Sequence, residues 1–172
     1  MAAGGSNNYH NLGFAYFHAG RLAEAEEAFR KALEFDPQRG VTHARLALVL
    51  RDQGKGEEAM AEAEKEPNES LRLNALAIIH HGTARGAEAD EAVRELIEKH
   101  ADDAAHTIAE VQGARGEVDA AFEWLERAYV ERDTGLTDMK TNPRLRSLHG
   151  DQRWDAFLEK MGLGERDGAA SG

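Results

Sequence analysis

The sequence predicts an all-α fold made of paired helices, and three observations support this prediction. Residues recur at a spacing of 34, as in the pairs Leu12 and Leu46, Gly20 and Gly54, and Ala25 and Ala59. The 172 residues are 31% charged and only 6% aromatic, which is typical of helices filled with Ala, Leu and Glu. Three prolines are few for an all-β chain rich in turns.

The first unit predicts two antiparallel helices, at about 6–19 and 22–35. Its pattern is formed by Tyr9, Leu12, Gly13, Tyr16, Gly20, Ala25, Phe29, Ala32 and Pro37. This pattern resembles the tetratricopeptide repeat, with Tyr9 where the motif usually has tryptophan. The resemblance implies a right-handed superhelical solenoid of about four helix pairs, because one pair cannot bury its apolar face alone.

Three further units follow the first. We predict repeats at about 6–39, 40–71, 72–101 and 102–135, with turn glycines at positions 20, 54, 86 and 116. Pro67 ends the second helix of the second unit early, because the residue before a proline avoids helical geometry. The third unit matches the pattern least well.

The C-terminal region predicts a cap at 136–163 that covers the last apolar face of the solenoid. A turn is expected at 132–136 and a short helical turn at 142–148. The last helix is predicted at 151–161, with Asp151 as its N-cap and Trp154 on its apolar face. Both Trp154 and Trp124 are therefore expected to be structural. Residues 1–5 and 164–172 are predicted to be disordered.

A second resemblance covers roughly residues 85–163. It rests on the stretch 121–129, on Asn142-Pro143, and on Gly150 through Trp154 with Gly162-Leu163. This region is similar to the C-terminal repeats of bacterial multidomain signalling and transcription-regulator proteins. The sequence contains none of their effector domains, so this resemblance implies no activity. It leaves open that the chain is a detached regulatory segment of a larger signalling protein.

The resemblance to tetratricopeptide proteins implies that the first helix of each unit lines a concave groove that binds a protein or peptide. The candidate groove residues are Asn7, His10, Asn11, Phe14, Phe17, His18, Arg45, Leu48, Arg51, His80, His106 and Glu110. Of these residues, only Arg45 and a protonated His10 could bind a carboxylate group. A site that holds two carboxylate groups of a partner is therefore not predicted. Phe14 and Phe17 are expected to be exposed, and such an apolar patch is expected to be covered by a bound peptide, by a neighbouring domain, or by a second copy of the chain in a homodimer through the first repeat.

The sequence contains no group of residues that is typical of a catalytic or metal site. It has no cysteine, no His-Glu-x-x-His run and no Gly-x-Ser-x-Gly turn. We therefore predict a non-enzymatic scaffold without a catalytic, cofactor or metal site. The alternative that remains open is a metal-binding protein or an enzyme that uses the groove histidines.

Charge and hydropathy exclude two classes of partner. The net charge of −11 argues against nucleic acid, which is bound by clustered Lys and Arg. No apolar run approaches the roughly 20 residues that span a bilayer, and the first residues lack the features of a signal peptide. We expect a cytoplasmic protein without a membrane partner.

Overall fold

The computed structural model describes residues 2–164, and this part of the chain contains helices and no strand. Eight helices form four consecutive pairs, and a ninth follows two short 3-10 helices. The α-helices are α1 (Ala2–His18), α2 (Leu22–Phe35), α3 (Thr42–Asp52), α4 (Gly56–Ala63), α5 (Glu69–Gly82), α6 (Gly86–His100), α7 (Ala105–Arg115), α8 (Val118–Glu131) and α9 (Gln152–Lys160). The 3-10 helices are Thr134–Thr141 and Pro143–Leu148. The predicted all-α helical repeat is confirmed.

The ends of the chain differ in part from the prediction. Residues 2–5, predicted to be disordered, are the first residues of α1. The predicted disordered tail, 164–172, lies outside the described residues except for Gly164. None of the described helices is both long and apolar enough to cross a membrane.

Close packing within the first pair depends on Gly13. A Cβ atom at Gly13 would lie 2.7 Å from Cδ1 of Phe29, whose ring is fully buried. Ser6 Oγ also donates a hydrogen bond of 3.1 Å to the Ala32 carbonyl oxygen, which joins the start of α1 to the end of α2. The absence of a side chain at Gly13 therefore lets the two helices of the first pair approach closely.

The turn inside each pair contains one residue with a left-handed backbone. These residues are Gly20 (φ 74°), Gly54 (φ 80°), Ala84 (φ 58°) and Gly116 (φ 78°). The prediction of Gly86 as the third turn glycine is wrong, because Gly86 is the first residue of α6. The third unit thus uses an alanine where the other three use glycine, and the register of that unit shifts by two residues.

The second unit has a shortened second helix, as Pro67 predicted. Helix α4 has 8 residues, whereas α2 has 14 and α6 has 15. After α4 the chain turns so that the buried carboxylate of Glu66 accepts hydrogen bonds from the backbone N–H groups of Val41 (3.0 Å) and Ala44 (3.1 Å). This side chain ties the end of the second unit to the start of α3.

The C-terminal cap contains the predicted last helix. The Asp151 side chain accepts a hydrogen bond from the Arg153 backbone N–H (2.9 Å) and caps α9, as predicted. Trp154, Phe157 and Leu158 are buried against the fourth unit. Residues 143–148 form the predicted helical turn, but the 3-10 helix at Thr134–Thr141 was not predicted.

Candidate binding groove

The inner face is the surface carried by the first helix of each pair, namely α1, α3, α5 and α7. The two 3-10 helices, Thr134–Leu148, lie on this face and are called the groove segment below. They contact residues from the first unit to the last. The contacts involve His18 of α1, Asp52 of α3 and Glu110 of α7. The chain itself therefore occupies a large part of the surface that the sequence predicted to be an open groove.

Arg144 anchors the groove segment to α3. Its guanidinium donates hydrogen bonds to both carboxylate oxygens of Asp52 (3.1 and 2.6 Å) and a longer one to the Leu48 carbonyl oxygen (3.4 Å). Its Cζ atom lies 5.3 Å from the centroid of the Phe17 ring. Arg144 is only 5% exposed, so the ion pair is largely withdrawn from water.

Glu110 anchors the segment to α7. The Asn142 side-chain amide donates a 2.6 Å hydrogen bond to its buried carboxylate, and Asn74 donates a longer one of 3.4 Å. Arg45 Nη1 lies 3.5 Å from the same group. Burial by itself raises the pKa of Glu110. The charges of Arg45 and His106 and the bond from Asn142 outweigh burial, and the pKa is below its usual value.

Two glycines allow the backbone of the segment to come close to α7. A Cβ atom at Gly113 would lie 2.7 Å from the Arg144 carbonyl oxygen. Ser147 Oγ donates a 2.7 Å hydrogen bond to the Gly113 carbonyl oxygen at the same place. A Cβ atom at Gly135 would lie 2.5 Å from Nδ1 of His106. A larger residue at either glycine would push the segment away from the inner face.

The structure distributes the predicted groove residues over three environments. Four are buried, namely Phe17, Leu48, His106 and Glu110. Two are exposed, Asn7 and Asn11, and the rest are half-buried, namely His10, Phe14, His18, Arg45, Arg51 and His80. The expectation of two exposed phenylalanines is wrong for Phe17, which is 1% exposed and packs in the core beside Arg144.

His80 does not belong to the inner face. It lines a separate cavity with Leu76, Glu88 and Glu91, between α5 and α6. The prediction placed it in the groove because Gly86 was taken as the turn residue. With Ala84 as the turn residue, His80 corresponds to Tyr16 of the first unit rather than to a groove position.

His10 is neutral near pH 7. Its burial, with added repulsion from Arg39 and Arg45, lowers its pKa to about 4. Its Nδ1 atom lies 2.8 Å from the Thr42 hydroxyl oxygen. A protonated His10 therefore does not contribute a positive charge to the inner face at neutral pH, contrary to the role considered for it.

Four polar residues at the centre of this face were not among the sequence candidates. They are Asp52, Asn74, Asn142 and Arg144. Counted from Gly54, the correctly predicted turn residue, Asp52 corresponds to His18 of the first unit. Asn74 corresponds to His10, but only when the third unit is counted from Ala84 instead of Gly86. Asn142 belongs to the Asn-Pro pair that the second resemblance singled out, but nothing in that pattern indicated which surface it contacts.

The histidines and carboxylates of this face do not form a metal site. Within residues 2–164, no group of three or more His, Cys, Asp or Glu side chains has the geometry to hold a metal ion. His43, which is buried, instead makes a 2.6 Å contact with Glu62 and a 2.9 Å contact with the Pro37 carbonyl oxygen. These interactions fix the start of α3 against α4.

Comparison with known proteins assigns the first unit. Residues 6–39 match the family model described as "Tetratricopeptide repeat". No curated protein matches the chain. Tetratricopeptide repeats generally mediate protein–protein interactions. Residues 6–39 are therefore similar to a tetratricopeptide repeat, and residues 2–164 as a whole form an all-α helical repeat.

Proposed function

We propose that this protein is a non-enzymatic interaction scaffold that binds a protein or peptide on the part of its inner face that the groove segment leaves open. The observation that carries the proposal is the family match at 6–39, together with the side chains that this repeat presents. Asn7 and Asn11 are exposed on α1, and His10 and Phe14 are half-buried beside them.

The covered part of the inner face is a poor candidate for the binding site. A partner there would have to displace four buried apolar side chains of the segment, namely Leu136, Met139, Leu145 and Leu148. Exposing a buried side chain of this size costs about 1.5–3 kcal/mol, so four would cost roughly 6–12 kcal/mol. Of the predicted groove residues on α1, four can be reached by a partner at little cost, namely Asn7, His10, Asn11 and Phe14.

The chemistry of the open part favours a polar, uncharged segment with an apolar anchor. Asn7 and Asn11 supply hydrogen-bond donors and acceptors. Phe14 supplies an apolar surface, and Arg45 lies over its ring, with Cζ 5.5 Å from the centroid. Because Arg45 also faces Glu110, its charge is not free to attract an acidic partner.

The test is a pull-down with the full chain as bait in a lysate of the native host, followed by mass spectrometry. Asn7→Arg with Asn11→Arg should remove a specific partner without unfolding the protein. Asn8→Arg is the matched control, because Asn8 is an exposed asparagine of the same helix that is not a groove candidate. Equal capture by all three proteins would contradict the placement of the site on α1.

A second copy of the chain is a further partner that the first repeat supports. Leu12 is 42% exposed and Phe35 is 48% exposed, and the Phe35 ring stacks on Tyr9 with centroids 5.7 Å apart. We expect a dimer whose sedimentation depends on concentration and which Leu12→Ser with Phe35→Ser weakens. A monomer at all concentrations would exclude this association.

The resemblance of 85–163 to bacterial signalling proteins supports a place in a signalling assembly.

A further inference from the structure

A cavity of about 390 Å³ lies between α5 and α6, outside the inner face. Leu73, Leu76 and His80 form one wall, and the first half of α6 forms the other. The residues contributed by α6 are Ala87, Glu88, Glu91, Ala92 and Glu95. We call this cavity the α5–α6 notch. It is separate from the surface of the proposed function.

Counting from the left-handed turn residue of each unit identifies the residues that correspond to the α5 wall of the notch. Counting from the left-handed turn residues, the α5 wall corresponds to Tyr9, Leu12 and Tyr16 in the first unit. In the second unit the equivalent residues are His43, Leu46 and Leu50, and in the fourth unit they are Ala105, Ile108 and Gln112. All six are buried. The equivalent wall is therefore covered in the second and fourth units, whereas the third unit leaves part of it open.

The helix that precedes the third unit, α4, is the shortest helix of the four pairs. Helices α2 and α6, which precede the second and fourth units, have 14 and 15 residues, whereas α4 has 8. Six missing residues amount to about 9 Å of helix, or nearly two turns. Leu76 and His80 of the third unit are half-buried, whereas their equivalents in the second and fourth units are buried.

The walls of the notch combine an apolar floor with an acidic rim. Leu73, Leu76 and Ala92 provide the floor. Glu88, Glu91 and Glu95 follow one another at intervals of three and four residues and therefore share one side of α6. Glu91 pairs with Arg94 and Glu95 with Lys99, but such exposed pairs contribute little and can be exchanged for other partners.

His80 leaves one polar atom in the notch without a partner. Its Nδ1 atom is buried and forms no hydrogen bond within the described part of the chain. A buried polar group without a hydrogen bond is costly, and such groups usually find a partner. The notch therefore combines incomplete packing with an unsatisfied polar atom.

We propose that the α5–α6 notch is the docking site for a short amphipathic helix of a partner protein, one that carries Lys or Arg beside its apolar face. Such a helix places its apolar residues on Leu73 and Leu76 and sets its cations against the glutamates of α6. Docking of an amphipathic helix in an apolar groove is a common mode of recognition. A second copy of this chain fits less well, because α2 and α6 themselves carry more Glu and Asp than Lys and Arg.

The probe is a fluorescent synthetic helix of about 14 residues made of leucine, alanine and lysine, with leucine at every third or fourth position. We expect it to bind the full chain and to slow hydrogen exchange in α5 and α6. Glu88→Lys with Glu91→Lys should weaken binding at least about tenfold. The matched control is Glu34→Lys with Glu64→Lys, which changes the net charge equally at exposed glutamates outside the notch and should weaken binding less than about threefold.

A second variant tests the apolar floor. Leu76→Asp should also weaken binding at least about tenfold, and circular dichroism checks that the variant is folded. If both double variants weaken binding equally, the peptide responds only to net charge and the proposal is wrong. Absence of binding at millimolar peptide, or protection confined to other helices, would also overturn it. Neither result bears on the α1 surface, which the Asn7 and Asn11 variants test separately.

Discussion

Arg144 and Asp52 form an ion pair with two hydrogen bonds between residues 92 positions apart in the chain. The pair joins the end of α3 to the groove segment and lies beside the Phe17 ring of α1. A single contact thus holds together the first unit, the second unit and the C-terminal region. Because the segment covers the inner face, the same contact limits where a partner can bind.

The first prediction concerns this ion pair. Arg144→Ala removes two hydrogen bonds from the Asp52 carboxylate, which keeps only the 2.9 Å bond from Arg51, and should lower the free energy of unfolding by about 1.5–3 kcal/mol. Removing Asp52 as well should cost less than the sum of the two single changes. Urea denaturation of both single variants and the double variant measures this coupling. The control is Arg94→Ala, which breaks an exposed pair with Glu91 and should leave the midpoint almost unchanged. Additive effects would show that the pair contributes no coupling.

The second prediction concerns the left-handed turn residue of the third unit. Ala84 has φ of 58°, a conformation that costs a residue with a Cβ atom about 1–2 kcal/mol. Ala84→Gly should therefore raise the free energy of unfolding by about 1 kcal/mol. Ala61→Gly, at an exposed position inside α4, should instead lower it by about 0.5–1 kcal/mol. Thermal unfolding distinguishes the two outcomes, and a loss of stability in both variants would contradict the assignment of the turn.

The third prediction concerns Glu66. Its carboxylate accepts hydrogen bonds from the N–H groups of Val41 and Ala44, and Glu66→Gln places a donor where an acceptor is needed. The substitution should cost about 1–3 kcal/mol and should speed hydrogen exchange at the start of α3. Glu64→Gln, two residues earlier and exposed, is the control and should change neither quantity. Unchanged exchange at Ala44 would show that Glu66 does not hold this end of α3.

The fourth prediction concerns pH. Burial lowers the pKa of His10 from 6.5 to about 4, so between these values the unfolded chain binds more protons at this site than the folded chain does. The contribution of His10 to stability is therefore complete above pH 6.5 and falls as the pH drops toward 4. His10→Gln should reduce the loss of stability between pH 7.5 and pH 5. His81→Gln, an exposed histidine, serves as the control. The measurement is the urea midpoint at both pH values, and an equal loss in all proteins would contradict this role.

The fifth prediction concerns the two tryptophans. Trp154 is buried between α9 and the fourth unit, so Trp154→Ala should cost about 3–5 kcal/mol. Trp124 is only half-buried, with Arg127 Cζ 5.1 Å from its ring, and its truncation should cost less. Fluorescence-detected denaturation of each single variant measures both changes. If Trp124→Ala left stability unchanged and abolished partner binding, Trp124 would be a recognition residue.

The helix pairs could be predicted from the sequence because their causes are local. A left-handed glycine at positions 20, 54 and 116 ends one helix of a pair and allows the next to begin, and Pro67 limits α4 through its own geometry. The last helix could likewise be predicted from Asp151 as its N-cap and from the spacing of the apolar residues that follow. The third turn was predicted at Gly86 because glycine adopts a left-handed backbone more readily than alanine does. In the structure Ala84 adopts this backbone, and the rest of the fold compensates for its conformational cost.

Only the tertiary structure shows which segment of the chain covers the inner face. The sequence indicated that residues 136–163 bury apolar side chains, but it could not specify the surface that receives them. The same apolar residues could equally well cover the end of the fourth helix pair or the inner face. The choice depends on Arg144 reaching Asp52 and on Asn142 reaching Glu110, and these residues meet only after the four helix pairs have packed. The periodic spacing of apolar residues shows which residues share one face of a helix. It does not show which distant residues that face contacts, so these contacts could not be predicted from it.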